Sequence, residues 1–271
     1  MHENPFYPSF ALRPEQFFGR KDHLDAFSRA LQNDSSPDIS FVLTGTRGCG
    51  KTSILHQFAV IARKERMDVI EATSTDALER MRDYARMDRG ASIKRSIAPS
   101  LTVGGVGSAS LGEVSETSVE GGGRRIPDVL LAKYLCERLA KLKLKRGIMV
   151  LVDEAQKLAD GDLVVIGNAV QQAVASGHRV GLVLCGLPQS YYKIRNVKSC
   201  TYLHRMRRVS LWCMGVDETI GFLETMFARV PEMGFTQEQI YDVGEFSGGH
   251  PYLMQLLGDA LYRVVEREAN P

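Results

Sequence analysis

No run in this 271-residue chain approaches the ~18 apolar residues of a membrane-spanning helix, and its first residues lack the apolar core of a secretion signal. The expectation is a protein of the cytoplasm that does not enter a membrane. Cysteine is scarce and scattered, at residues 49, 136, 185, 200 and 213. The number is odd and no C-x-x-C occurs, so neither a disulfide framework nor a zinc site is indicated. Charge of one sign is not in excess: 34 Lys and Arg against 32 Asp and Glu leave +2. Composition therefore makes no electrostatic case for nucleic acid or an anionic membrane. No internal repeat is visible. The length suffices for one α/β domain and a smaller one, and 44% hydrophobic with 24% charged residues is ordinary for a globular chain.

Against this plain background one stretch stands out, Gly45-Thr46-Arg47-Gly48-Cys49-Gly50-Lys51-Thr52. It fits G-x-x-x-x-G-K-[ST], a phosphate-binding loop. The apolar run Ile39-Ser40-Phe41-Val42-Leu43 before it reads as a buried strand. After it, starting at Ser53, apolar residues fall at 54, 55, 58, 61 and 62, a helical spacing. Glycines let the backbone curl so that N–H groups converge on phosphate oxygens, and the following helix N-terminus favours an anion. Residues 45–53 are the expected phosphate contacts. Lys51 is expected to reach the β- and γ-phosphates, and the Thr52 hydroxyl to ligate Mg²⁺. A second stretch, Ile148-Met149-Val150-Leu151-Val152, is apolar throughout, as a strand covered on both faces should be, and ends in Asp153-Glu154. Acids at the carboxyl end of a parallel strand lie where open α/β sheets bind ligands. Asp153 is expected to hold Mg²⁺ through water, and Glu154 to polarise the water that attacks the γ-phosphate.

The remaining chain falls into parts. Residues 1–21, with Pro5, Pro8, Pro14 and five aromatics, predict an extended arm anchored by its rings. Asp22 is the expected N-cap of a helix carrying Leu24, Phe27 and Leu31. Residues 22–214 form the core. Within it, strands are expected at 68–72, 179–185 and 207–212, and helices at 75–87, 126–144, 163–175 and 189–195. Residues 92–123 differ: seven of the 25 glycines lie between 104 and 123, so this is read as a flexible insertion. Residues 215–271 are expected to be all-helical, a lid. Thr236 caps one of its helices, and Gly248-Gly249 breaks the chain before Pro251 opens the last.

The order of Phe18-Gly19-Arg20, the phosphate loop, Val152-Asp153-Glu154-Ala155-Gln156, Cys185-Gly186-Leu187-Pro188, Arg205 and Ser247-Gly248-Gly249-His250-Pro251-Tyr252 resembles one family. It is that of the bacterial and archaeal AAA+ ATPases of the origin-recognition/Cdc6-like and STAND type. The likeness runs over about 15–268. It implies a P-loop NTPase of α/β class: a five-stranded parallel sheet between helices, the phosphate-loop strand central, with a small C-terminal helical lid. It implies that Phe18, Gly19 and Arg20 line an adenine pocket and that His250 and Pro251 cover it from the lid, which would touch the core mainly through the nucleotide. Where relatives carry a polar sensor, this chain has Cys185-Gly186, and Gln156 is the expected substitute. Arg205 matches an arginine that completes the site in cis or in a neighbouring subunit.

The resulting expectation is an ATP/ADP-binding protein with slow ATPase activity. It would act as a switch or remodelling module with a protein partner, and as a homo-oligomer. The alternative is the motor of a DNA-associated system in replication, transposition or defence, whose winged-helix domain is lost or lies beyond Pro271.

Overall fold

The computed structural model describes residues 4–8, 17–34, 36–87, 126–142 and 146–269. The insertion expected at 92–123 lies outside the described residues. Strands and helices alternate because each short apolar run is followed by a stretch with helical spacing. The strands are β1 (Phe41–Gly45), β2 (Met67–Thr73), β3 (Gly147–Asp153), β4 (Val180–Gly186) and β5 (Arg207–Leu211). All pairings are parallel, in the order β2-β3-β4-β1-β5. The phosphate-loop strand is therefore interior, but the middle place belongs to β4, which separates β1 from β3.

Side chains alternate across the sheet, so each strand feeds two cores. Phe41, Leu43, Met149, Leu151 and Val183 pack with Phe27 of α1 (Lys21–Gln32) and Phe58 of α2 (Lys51–Lys64). Val42, Ile148, Val150, Val152 and Leu184 face the other layer. That layer is built from α3 (Ala77–Arg86), α4 (Asp128–Ala140), α5 (Asp160–Ala175), α6 (Ser190–Arg195) and α7 (Thr201–Arg205). α4 is shorter than the 126–144 expected. Ile126 and Pro127 precede it, and the backbone turns at Lys141 with its N–H on the Arg138 carbonyl. Asp22 is not a cap either. Arg20, left-handed at φ 61°, holds the N-cap place of α1, and Asp22 lies in the first turn.

The third cluster is helical. α8 (Val216–Phe227), α9 (Gln237–Ser247) and α10 (Pro251–Ala269) gather Met214, Leu223, Phe227, Ile240, Val243 and Met254. Thr236 caps α9 as expected, in a reciprocal pair with Gln239. Among the described residues no helix is long and apolar enough to cross a membrane.

Among the described residues of the N-terminal arm, Phe6 is the buried ring, and its place is in the lid. Phe6 is 2% exposed and lies in this helical cluster, 4.7 Å from the Phe227 ring. A glycine is needed opposite it: a Cβ on Gly258 would lie 2.3 Å from the Phe6 ring. Asn4 Nδ2 donates to Asp259 at 2.7 Å, and the Tyr7 N–H to Gln255 Oε1 at 2.8 Å. Phe6→Ala should therefore loosen the lid, by up to about 3–5 kcal/mol if the arm's site stays empty. At roughly 2–4 °C per kcal/mol the melting temperature should fall visibly in a thermal scan. An unchanged value would show that the arm contributes nothing to the lid.

Candidate nucleotide site

The parallel register brings the carboxyl ends of β1, β3 and β4 to one edge, and the chain leaves β1 there into residues 46–50. Gly48 and Gly50 turn it with φ of 75° and 90°, values that a side chain would strain. The five carbonyls of this loop are all taken. Thr46 O accepts from Lys51 Nζ at 2.6 Å, and Arg47 O from His250 Nε2 at 2.9 Å. Gly48 O accepts from the Tyr252 N–H at 3.2 Å, Cys49 O from Arg20 Nη2 at 3.2 Å, and Gly50 O from the Ile54 N–H at 3.0 Å. None of residues 46–50 donates its own N–H to a backbone carbonyl among the described residues. The loop's acceptors are thus bonded while its N–H groups have no backbone acceptor among the described residues, and an anion would supply one.

Two oxygens meet beside it. Thr52 Oγ1 donates to Asp153 Oδ2 at 2.6 Å, across the width of β4. The other Asp153 oxygen accepts the Glu154 N–H at 2.7 Å. Burial pushes the Cys185 thiol, at the end of β4, well above its ordinary pKa, and the nearby Asp153 carboxylate adds to the effect. Cys49 is raised too, again chiefly by burial. Both remain neutral thiols at pH 7.

Glu154 takes a left-handed backbone, φ 55°, which aims its side chain along its own turn. Its Oε2 accepts from Gln156 Nε2 at 2.8 Å and lies 3.0 Å from Lys157 Nζ. Gln156 in turn reaches the end of β4. Its Oε1 accepts the Leu187 N–H at 3.2 Å and the Ser190 hydroxyl at 3.3 Å. Gly186 allows this, since a Cβ there would stand 2.5 Å from Gln156 Oε1 and 2.3 Å from Ser190 Oγ. The amide of Gln156 thus fills the space that a polar side chain at residue 186 would occupy.

Arg20 joins three parts. Its guanidinium holds Cys49 O, its N–H donates to Glu218 of α8 at 2.8 Å, and its pKa is lowered by burial against the pull of Cys49 and Glu218. Gly19 packs against Met214 and Glu218, and the Phe18 ring lies 5.9 Å from Phe222 of α8. Phe18 thus packs against the lid. His250, Pro251 and Tyr252 lie at the start of α10, over the loop, with His250 and Tyr252 bonded to it. Gly48 lets them approach, because a Cβ there would meet His250 and Tyr252 at 2.7 Å. Contact of lid and core mainly through a nucleotide is therefore incorrect: the lid bonds the loop directly. Tyr252 and Glu218 were not foreseen. Tyr252 acts through its backbone, which leaves no side-chain signal in a sequence.

Arg205 does not join this group. Arg207 pairs with Phe41 at the start of β1, so exposed Arg205 lies a strand's length from the loop, about 13 Å or more. Its own chain's loop is out of its reach.

A family model described as an ATPase domain predominantly from Archaea matches residues 17–257. Among solved structures the chain is similar to Cdc6p from Pyrobaculum aerophilum, at 15% identity and a TM-score of 0.59, covering 97% of this chain and 65% of that one. It is similar to the ADP form of ORC2 from Aeropyrum pernix, at 16% identity and a TM-score of 0.57, covering 97% and 67%. It is similar also to Aeropyrum pernix ORC1 in complex with DNA, at 14% identity and a TM-score of 0.54, covering 94% and 62%. At these identities the likeness establishes the fold alone. The chain spans about two thirds of the length of these proteins. No curated protein matches it in sequence.

The His250 contact yields a test. The Arg47 carbonyl can only accept, so His250 Nε2 carries the proton and donates. His250→Ala removes this link from lid to loop while leaving the Tyr252 N–H in place. The ratio of ADP to ATP affinity should then shift, by about 1–3 kcal/mol for coupling of usual size. Calorimetric titration with ADP and a non-hydrolysable ATP analogue measures it. An unchanged ratio would reduce His250 to a packing residue.

Proposed function

Because the chain belongs to the family of ATPase domains found predominantly in Archaea, we propose that it binds ATP at the 45–52 loop and hydrolyses it slowly, as a nucleotide-driven switch. The observation that carries this reading is the loop's hydrogen bonding, with its five carbonyls bonded and no backbone acceptor for its N–H groups among the described residues. Lys51 is buried beside it with its ammonium on the Thr46 carbonyl, and would turn to the phosphates as their cation.

Mg²⁺ fits the oxygens present. The Thr52 hydroxyl and the Asp153 carboxylate are hard donors already in contact, and Mg²⁺ takes one or two such ligands with water and phosphate for the rest. Bound there, the ion would neutralise charge on the phosphates. Glu154 is the proposed base for the attacking water. Gln156 and Lys157 both hold its Oε2, which leaves Oε1 to take the proton of the water. Gln156 is the proposed sensor. It bonds both Glu154 and the end of β4 and can relay a change at the phosphates to α6 through Ser190.

The output would be the lid. Since His250 and Tyr252 grip the loop's carbonyls, a change in loop geometry on binding or hydrolysis reaches α10 without passing through adenine. A ligand moves the lid only by its differential affinity for the two lid positions. Phe18, Gly19, Arg20 and Pro251 would frame the adenine. Arg205, exposed at the far end of β5, would serve the phosphates of a neighbouring copy. A cytoplasmic location and a protein partner complete the proposal.

ATP with Mg²⁺ at about 100 times its Kd should add about 2.7 kcal/mol of stability, and Lys51→Ala should abolish the rise in melting temperature. No rise in a nucleotide-free parent sample would overturn the binding site. Glu154→Gln should keep that rise while turnover falls about 10²–10⁴-fold in a phosphate-release assay. If the Gln variant hydrolyses ATP at the parental rate, Glu154 is not the base.

A further inference from the structure

The net charge of +2 conceals a separation of sign along the chain. Residues 163–216 carry seven Lys and Arg and no Asp or Glu, while residues 217–271 carry ten Asp and Glu against three Arg. In the fold the acid-free run supplies β4, α6, α7 and β5, and β5 is an edge strand. Arg195 of α6 and Arg208 of β5 converge on one tyrosine. Their guanidinium carbons lie 5.9 and 5.7 Å from the centre of the Tyr191 ring. Arg195 Nη1 donates to the Tyr191 hydroxyl at 3.0 Å and Arg208 Nε to Thr44 Oγ1 at 3.0 Å.

Neither arginine has a carboxylate partner among the described residues. Others do. Arg82 holds Glu79 and Asp128, Arg146 and Arg179 share Asp34, and Arg207, one residue before Arg208, reaches Asp38 at 3.2 Å. Two cations about one ring without an acid repel each other, and an anion between them would relieve this. Aromatic surface adjoins them. The Tyr192 ring, 62% exposed, lies edge-on to Tyr191 at 5.7 Å, and Trp212, 73% exposed, follows the end of β5. Single exposed rings are common on proteins. Rings beside unpaired arginines have the make-up of a surface that tracks a phosphate backbone and stacks its bases.

We propose that the edge formed by α6 and β5 binds single-stranded nucleic acid, with phosphates at Arg195 and Arg208 and a base stacked on Tyr192. The acidic lid of a second copy would also meet the arginines, but carboxylates alone give the exposed rings nothing to stack on. This surface uses none of the loop residues 45–52, so its failure and that of the ATP site are separable.

The test is fluorescence anisotropy of a labelled oligothymidylate with the full chain, over a range of salt. Binding should weaken with salt, with a log–log slope of about −0.7 for each phosphate contacted. Arg195→Glu should lower affinity at least tenfold, Arg195→Gln should flatten the slope by about one contact, and Tyr192→Ala should cost between about five- and a hundredfold. Each variant should keep the parent's melting temperature and its rise with ATP, which separates a lost contact from a lost fold. The proposal is overturned if the parent does not bind the oligonucleotide, if duplex DNA binds more tightly, or if Arg195→Glu binds like the parent. It is overturned also if Arg195→Glu changes only the mass in solution by light scattering, for then the surface meets a second copy.

Discussion

The site depends on where five consecutive carbonyl oxygens point. A loop that offers its N–H groups to an anion must turn its C=O groups the other way, into protein, and buried acceptors left unbonded are costly. Here each one is met. Lys51 and Ile54 come from the loop's own helix, but Arg20 precedes β1 and His250 and Tyr252 open the last helix. Each bond contributes only about 1 kcal/mol net, so their effect is less on stability than on shape. The conformation of the phosphate loop is a joint property of the arm, the core and the lid.

The sheet sets the second dimension of the site. β4 separates β1 from β3, so the ends of those two strands stand two strand spacings apart, roughly 10 Å. The Thr52 side chain, in the first turn of α2, and the Asp153 side chain close that gap to a hydrogen bond. Above β4 the same gap holds Gln156, admitted by the bare Cα of Gly186. α6 is tied to this turn again by Lys193, whose ammonium donates to the carbonyls of Gln156 and Leu158. The helix that carries Arg195 is thus also the helix against which the Glu154 turn is built.

Much of this was legible in the sequence because the informative features are local. A phosphate loop needs its glycines and Lys-Thr in one stretch, a covered strand is apolar throughout, and the break before α10 needs Gly248 and Gly249. The rest was not, for physical reasons. Tyr252 acts through a backbone N–H that any residue but proline would offer. Burial of Phe6 depends on the small Gly258 far along the chain. That Arg205 faces away from its own loop follows only from the pairing of Arg207 with Phe41, a register no sequence prints. Net charge carries no record of how sign is distributed, because composition sums over the chain: the ten acids of residues 217–271 offset the seven basic residues of 163–216.

The arm's place has a consequence for how the molecule comes to be made. Asn4 and Asp259, joined by a hydrogen bond, are 255 residues apart in the chain. At about 5–20 residues per second, Asp259 is made some 10–50 s after Asn4. Through that interval Phe6 has no lid to enter, and the acceptors at Arg47 and Gly48 have no lid donors. Until then β1, β2 and the phosphate loop lack the clasp that the lid supplies. The loop can take its final shape only after the helix that brings His250 and Tyr252 has been made.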